Sequence, residues 1–122
     1  KDFRELADDG RAILMITHDI EAALKIADKV SIFYAGTTLE VANTKDFDHT
    51  GDLLRHPYTK ALNKARPDIE FIPAEGTQPY PGMLPSGCLF SDRCNIKTEK
   101  CNRELPQFRE IRDGKVRCFH AT

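Results

Sequence analysis

Cys88, Cys94, Cys101 and Cys118 all fall within the last 35 residues of a 122-residue chain, and the first 87 residues carry no thiol. Five, six and then sixteen residues separate them, so a closed loop of 31 residues could gather four sulfurs around one centre. Deprotonated sulfur is the ligand of choice for zinc and for iron–sulfur clusters, which makes a metal or cluster site the sharp reading. Two other readings use the same residues: a pair of disulfides in any of three connectivities, or thiols packed as small apolar groups. The spacing lacks the Cys-x2-Cys knuckle of most structural zinc sites and matches neither ferredoxin pattern, so spacing alone names no metal. His120, two positions beyond Cys118, could stand in as a ligand.

The surroundings of these cysteines bear on the same chemistry. Arg93, Lys97, Lys100, Arg103, Arg109, Arg112, Lys115 and Arg117 crowd the segment. Such cations either offset the charge of metal-bound thiolates or form a solvated basic surface. Gly87 and the turn-prone Ser91-Asp92-Arg93 are placed to curl the backbone so that amide groups point at sulfur.

Elsewhere, Thr17-His18-Asp19 follows an apolar run of strand length, Ala12 to Thr17. Open α/β sheets bind ligands in the crevice beyond their strand ends, where a histidine can reach a bound phosphate. No phosphate-binding loop accompanies it. The only Gly-Lys pair, Gly114-Lys115, is followed by Val116 and preceded five positions earlier by Arg109, not glycine. For His56-Pro57-Tyr58-Thr59 the plain reading is structural: His56 ends one segment, Pro57 fixes a first helical turn and Tyr58 packs on the domain. His49 reads as a surface residue.

These groups need elements to hold them. Asp2 to Asp9 looks like the last turns of a helix, closed by Gly10. Ala12 to Thr17 is unbroken and apolar, as expected of a parallel strand covered on both faces. Asp19 can cap a helix carrying Ile20, Ala23, Leu24 and Ala27 at helical spacing. Val30 to Tyr34, turned by Ala35-Gly36 into Thr38 to Val41, predicts a hairpin. A helix interrupted near Gly51 is expected over Asp46 to Leu54, then a better one from Pro57, with Tyr58, Ala61, Leu62 and Ala65 on one stripe, to Arg66-Pro67. Five prolines and three glycines between Pro67 and Gly87 mark an irregular linker. The expected division is therefore 1–66, a linker over 67–87, and a four-cysteine unit over 88–122.

Balanced charge, 18 basic against 19 acidic side chains, argues against a nucleic-acid module built on a positive field. No charged leader and no apolar run near ~18 residues is present, so a cytosolic setting is expected. Two or three strands cannot form an open sheet covered on both faces, yet Ile13 to Ile16 demand one; the chain reads as the C-terminal part of a larger α/β protein.

Taken in order, Ile13-Leu14-Met15-Ile16-Thr17-His18-Asp19, Ala27-Asp28-Lys29-Val30, Tyr34-Ala35-Gly36, His56-Pro57-Tyr58-Thr59 with Ala61-Leu62, Gly87-Cys88-x-Phe90-x-x-Arg93-Cys94, Cys101, Pro106 and Val116-Arg117-Cys118 resemble one family. The chain is similar to the C-terminal portion of an ATP-binding subunit of the oligopeptide/dipeptide/nickel class of ABC importers. Its departures are Ser91-Asp92, where His-Pro often stands, and Ala42, where glycine commonly follows the second hairpin strand.

The resemblance implies an α/β fold: a C-terminal fragment of a P-loop ABC ATPase core followed by a small, loop-rich accessory domain. It implies that His18 is the switch-loop histidine contacting the γ-phosphate of ATP, with magnesium and the remaining catalytic groups preceding Lys1. The fragment alone is then expected to be inactive. It further implies that Cys88, Cys94, Cys101 and Cys118 ligate a 4Fe-4S cluster of structural role, with zinc as the alternative in a stapled docking module. Implied partners are permease subunits, a second ATP-binding subunit and, indirectly, an extracytoplasmic solute-binding protein. The place of work would be the cytoplasmic face of the membrane.

Overall fold

A computed structural model describes residues 3–70 and 76–122. Helix α1, Phe3–Asp8, ends at Gly10, whose φ of +97° permits the left-handed turn that returns the Arg11 amide to the Leu6 carbonyl. Asp2 of the expected helix lies outside the described residues. Helix α2, Ile20–Ile26, starts where expected, with the Asp19 carboxylate accepting the Ala22 amide.

The hairpin is also where the sequence puts it. Strand β1, Lys29–Tyr34, pairs antiparallel with β2, Thr37–Asn43, through a two-residue turn. Ala35 and Gly36 both take positive φ, 50° and 82°, which matches the twist that two-residue hairpins need.

Two expectations fail. Ala12 to Thr17 is not a strand, and Leu14 and Ile16 are 91% and 93% exposed. The apolar run marks a strand that needs neighbours on both sides, and no described strand pairs with it. Asp46 to Leu54 is not helical either. Only a 3-10 turn, Thr44–Asp46, is formed, and the Asp48 side chain then accepts the amides of Thr50 and Gly51, a local bonding pattern that competes with a helix.

Helix α3 runs Pro57–Lys64 with Pro57 at its first position. The linker between 67 and 87 contains one 3-10 turn, Pro81–Met83, and its residues 71–75 lie outside the described residues. The cysteine segment is more regular than its loop-rich sequence suggests. It holds a 3-10 turn at Ser91–Arg93, helix α4 at Glu99–Arg103 and strands β3, Arg109–Ile111, and β4, Gly114–Val116. Strand β4 pairs antiparallel with both β3 and β2, giving one four-stranded antiparallel sheet in the order β1-β2-β4-β3.

The fold is thus α/β with an antiparallel sheet drawn from both ends of the described chain. Its main core is shared in the same way. Ile32, Tyr34, Leu39 and Leu54 pack with Cys88, Leu89, Phe90 and Cys101. Among the described residues no helix is long and apolar enough to cross a membrane.

Candidate functional site: a cysteine-lined cavity

Cys88, Cys94, Cys101 and Cys118 line a single cavity together with His56, Phe90 and His120. All four are free thiols; Cys88, Cys101 and Cys118 are buried and Cys94 is half-buried. The disulfide reading is therefore not what the fold adopts.

Backbone geometry brings them together. Gly87 lies so close to the chain at 101–103 that a Cβ there would clash with the Cys101 carbonyl oxygen. That approach lets the Cys88 amide donate to the Cys101 carbonyl at 2.8 Å, tying the first and third thiols to one another. Cys118 follows β4 and is carried in by the sheet, since the Arg117 amide donates to the Leu39 carbonyl at 2.8 Å.

Electrostatics report the same convergence. Burial pushes the Cys88 thiol up, the Phe90 amide hydrogen bond to its sulfur pulls it down, and the nearby Cys118, Cys101 and Cys94 push it up again. Cys94 is likewise raised, first by burial, against the pull of the Ile96 amide and with Cys118 and Cys101 adding to the rise. The Thr98 amide donates to the Cys101 sulfur at 3.4 Å. The amide that donates to the Cys101 sulfur comes from Thr98, not from the loops at Gly87 or Ser91–Arg93. Amides aimed at sulfur stabilise thiolate, while mutual repulsion and burial oppose it; a cation in the middle would reverse that balance.

His56 completes the wall. It is 1% exposed, and its backbone amide donates to Glu40 Oε1 at 2.8 Å. Its Nδ1 accepts the Tyr58 amide at 3.0 Å, capping α3. Burial lowers its pKa to about 4, so the ring is neutral near pH 7. With Nδ1 accepting, the ring hydrogen is on Nε2, and that atom is buried without a partner. His120 is exposed and its Nε2 lies 3.0 Å from Thr98 Oγ1 at the cavity rim.

The cavity wall holds four thiols, one of which receives an amide, and an orphaned N–H, which are the donor types of a thiolate-ligated metal group. The cavity is tight, with a volume of about 10 Å³. A cluster would part the cysteine loops. A single tetrahedral zinc would hold sulfurs about 3.8 Å apart, given a Zn–S bond of about 2.3 Å. No group of three or more His, Cys, Asp or Glu among the described residues is arranged for a single ion.

A buried charge network, not legible in the sequence, fixes the cavity to the sheet. Arg55, Glu40 and Asp46 are buried. The Arg55 guanidinium pairs with Glu40 and with Asp46, each at 3.0 Å, and donates to the carbonyls of Ile111 at 2.8 Å and Arg112 at 3.0 Å. Glu40 also accepts the Arg55 and His56 amides. The one sequence signal was Glu40 itself, a carboxylate between Leu39 and Val41 in β2. Around His56 the rings of Tyr34, Tyr58 and Phe90 meet edge to face or tilted, with centroids 4.8 to 5.4 Å apart.

His18 lies outside this site. It is exposed in the turn before α2, where Thr17 Oγ1 accepts the Asp19 amide at 3.0 Å, and it is not part of the cavity wall. His49 is exposed, as its sequence position suggested. The Gly114-Lys115 pair is part of β4, where Gly114 lies against the Arg55 guanidinium.

Residues 39–101 match the family described as Oligopeptide/dipeptide transporter, C-terminal region. The chain belongs to that family. The matched span runs from β2 through the His56-Pro57-Tyr58 turn to the third cysteine, so it takes in most of the cavity wall. Similarity extends beyond it. Dipeptide transport ATP-binding protein DppF of Haemophilus influenzae is 36% identical over 118 residues, 91% of this chain and 35% of that protein. Dipeptide transport ATP-binding protein DppD of Escherichia coli is 32% identical over 118 residues, 92% of this chain and 35% of its own. The chain spans about a third of the length of these curated relatives.

Proposed function

We propose that this chain is the distal segment of an ATP-binding subunit that couples ATP hydrolysis to uptake of peptides through an ABC importer. The observation that carries this reading is the family match over residues 39–101 together with similarity to dipeptide transport ATP-binding proteins over about nine-tenths of the chain. The subunit works on the cytoplasmic face of the membrane against permease subunits and a second ATP-binding subunit. An extracytoplasmic solute-binding protein delivers the substrate.

In this reading residues 12–17 form a strand within the sheet of the whole subunit, and His18 at its end contacts the γ-phosphate of ATP. The phosphate-binding loop, the magnesium ligand and the general base come from outside these 122 residues, so the chain alone hydrolyses no ATP. In a full-length subunit carrying these residues, His18→Ala lowers turnover by about 10²-fold, the scale for removing one preorganised polar contact. Turnover by the 122-residue chain alone, abolished by His18→Ala, would overturn this part.

Cys88, Cys94, Cys101 and Cys118 hold a 4Fe-4S cluster whose role is to tie the cysteine segment together, since metal binding here is folding energy. Four thiols lining one cavity, one of them receiving a backbone amide, support it. Anaerobic purification tests it: iron and sulfide with a broad absorption band near ~400 nm are expected, whereas a colourless protein with one zinc favours a stapled docking module.

A further inference from the structure

We propose that His56 is a positioning residue of the cysteine site, donating the hydrogen on its Nε2 to the sulfur-ligated group held there. The inference rests on the reading that the four cysteines ligate such a group.

Buried polar atoms without partners are uncommon in native folds, and each one asks for an explanation. His56 Nε2 is such an atom, on a ring that forms part of the cavity wall. The other nitrogen is committed: Nδ1 accepts the Tyr58 amide, which leaves the hydrogen on Nε2. Nor is the ring free to turn away. Glu40 Oε1 anchors the His56 amide at 2.8 Å, Pro57 fixes the next residue in the first turn of α3, and the Phe90 ring stands edge-on with its centroid 5.5 Å away. Four constraints therefore hold a neutral N–H donor in the wall of a cavity whose other polar lining residues are the four cysteines, Ser91 and the rim residue His120.

A neutral donor suits an anionic thiolate-ligated group. It adds a hydrogen bond to sulfur without adding a charge that would compete for the thiolates, and it favours the more negative, reduced form. The Arg55–Glu40–Asp46 network gains a purpose on this account, because it fixes the backbone from which His56 reaches the cavity.

Two substitutions separate the two nitrogens. His56→Asn keeps a short acceptor for the Tyr58 amide and loses the Nε2 donor; His56→Gln places an amide donor at the reach of Nε2. In anaerobically purified protein, His56→Asn is expected to move the reduction potential of the bound cluster to more negative values, and His56→Gln to bring it back toward wild type, with iron and sulfide per chain unchanged in both. An unchanged potential in iron-replete His56→Asn overturns the proposal alone. Wild-type protein lacking iron and sulfide overturns the reading of the cysteines and this inference with it. The unsubstituted protein supplies a readout that needs no variant. In ¹⁵N-histidine-labelled, cluster-loaded wild type, the slowly exchanging Nε2–H of His56 should be hyperfine-shifted on reduction, and a resonance that stays at its diamagnetic position overturns the assignment.

Discussion

Ile13, Leu14 and Ile16 stand 41%, 91% and 93% exposed, while Glu40, Arg55 and His56 are exposed by 1% or less. Residue chemistry alone would have assigned these two sets the other way round. No strand among the described residues pairs with the apolar run, so its side chains are exposed in this chain. The charged set is enclosed because each polar atom but one finds a partner: a guanidinium between two carboxylates and two carbonyls, and a carboxylate between two amides. Burial therefore follows the availability of complementary groups rather than hydropathy.

The contrast can be broken most directly at Arg55. Arg55→Met leaves Glu40 and Asp46 buried without a counter-charge and should cost about 3–5 kcal/mol in urea unfolding. Arg55→Lys should recover less than half of that, because one ammonium cannot serve four acceptors in a fixed plane. A cost near zero for Arg55→Met would show that the network is not what encloses these residues. Gly87→Ala should cost about 1–3 kcal/mol in urea unfolding by forcing a methyl against the backbone at 101–103. Ile16→Asp sharpens the comparison from the other side: within this chain it should change stability by less than about 0.5 kcal/mol, as for other exposed positions. A larger loss would mean that the apolar run is covered after all.

The hairpin, both flanking helices and the convergence of the thiols were legible because each has a local cause. Ala35-Gly36 can take two positive φ values, Asp19 and Pro57 mark helix starts, and clustered cysteines have little reason to scatter. What escaped were features made by distant partners. Strand β4 is three residues long, too short for its alternation to mark a strand in sequence; it is a strand because β2 and β3 pair with it on either side. Arg55 looks like any surface arginine until Glu40, Asp46 and the turn after β3 surround it. The failure at residues 12–17 is of the same kind, since a strand needs partners and no strand among the described residues pairs with that run.

Strand β4 also has a protective role. The outer rim of β2 would otherwise offer a row of unpaired amides and carbonyls, an adhesive surface for a second hairpin. By lying along that rim at Glu40 and Val41, the cysteine segment shields it. Truncation before Arg109 is thus a route to clumping.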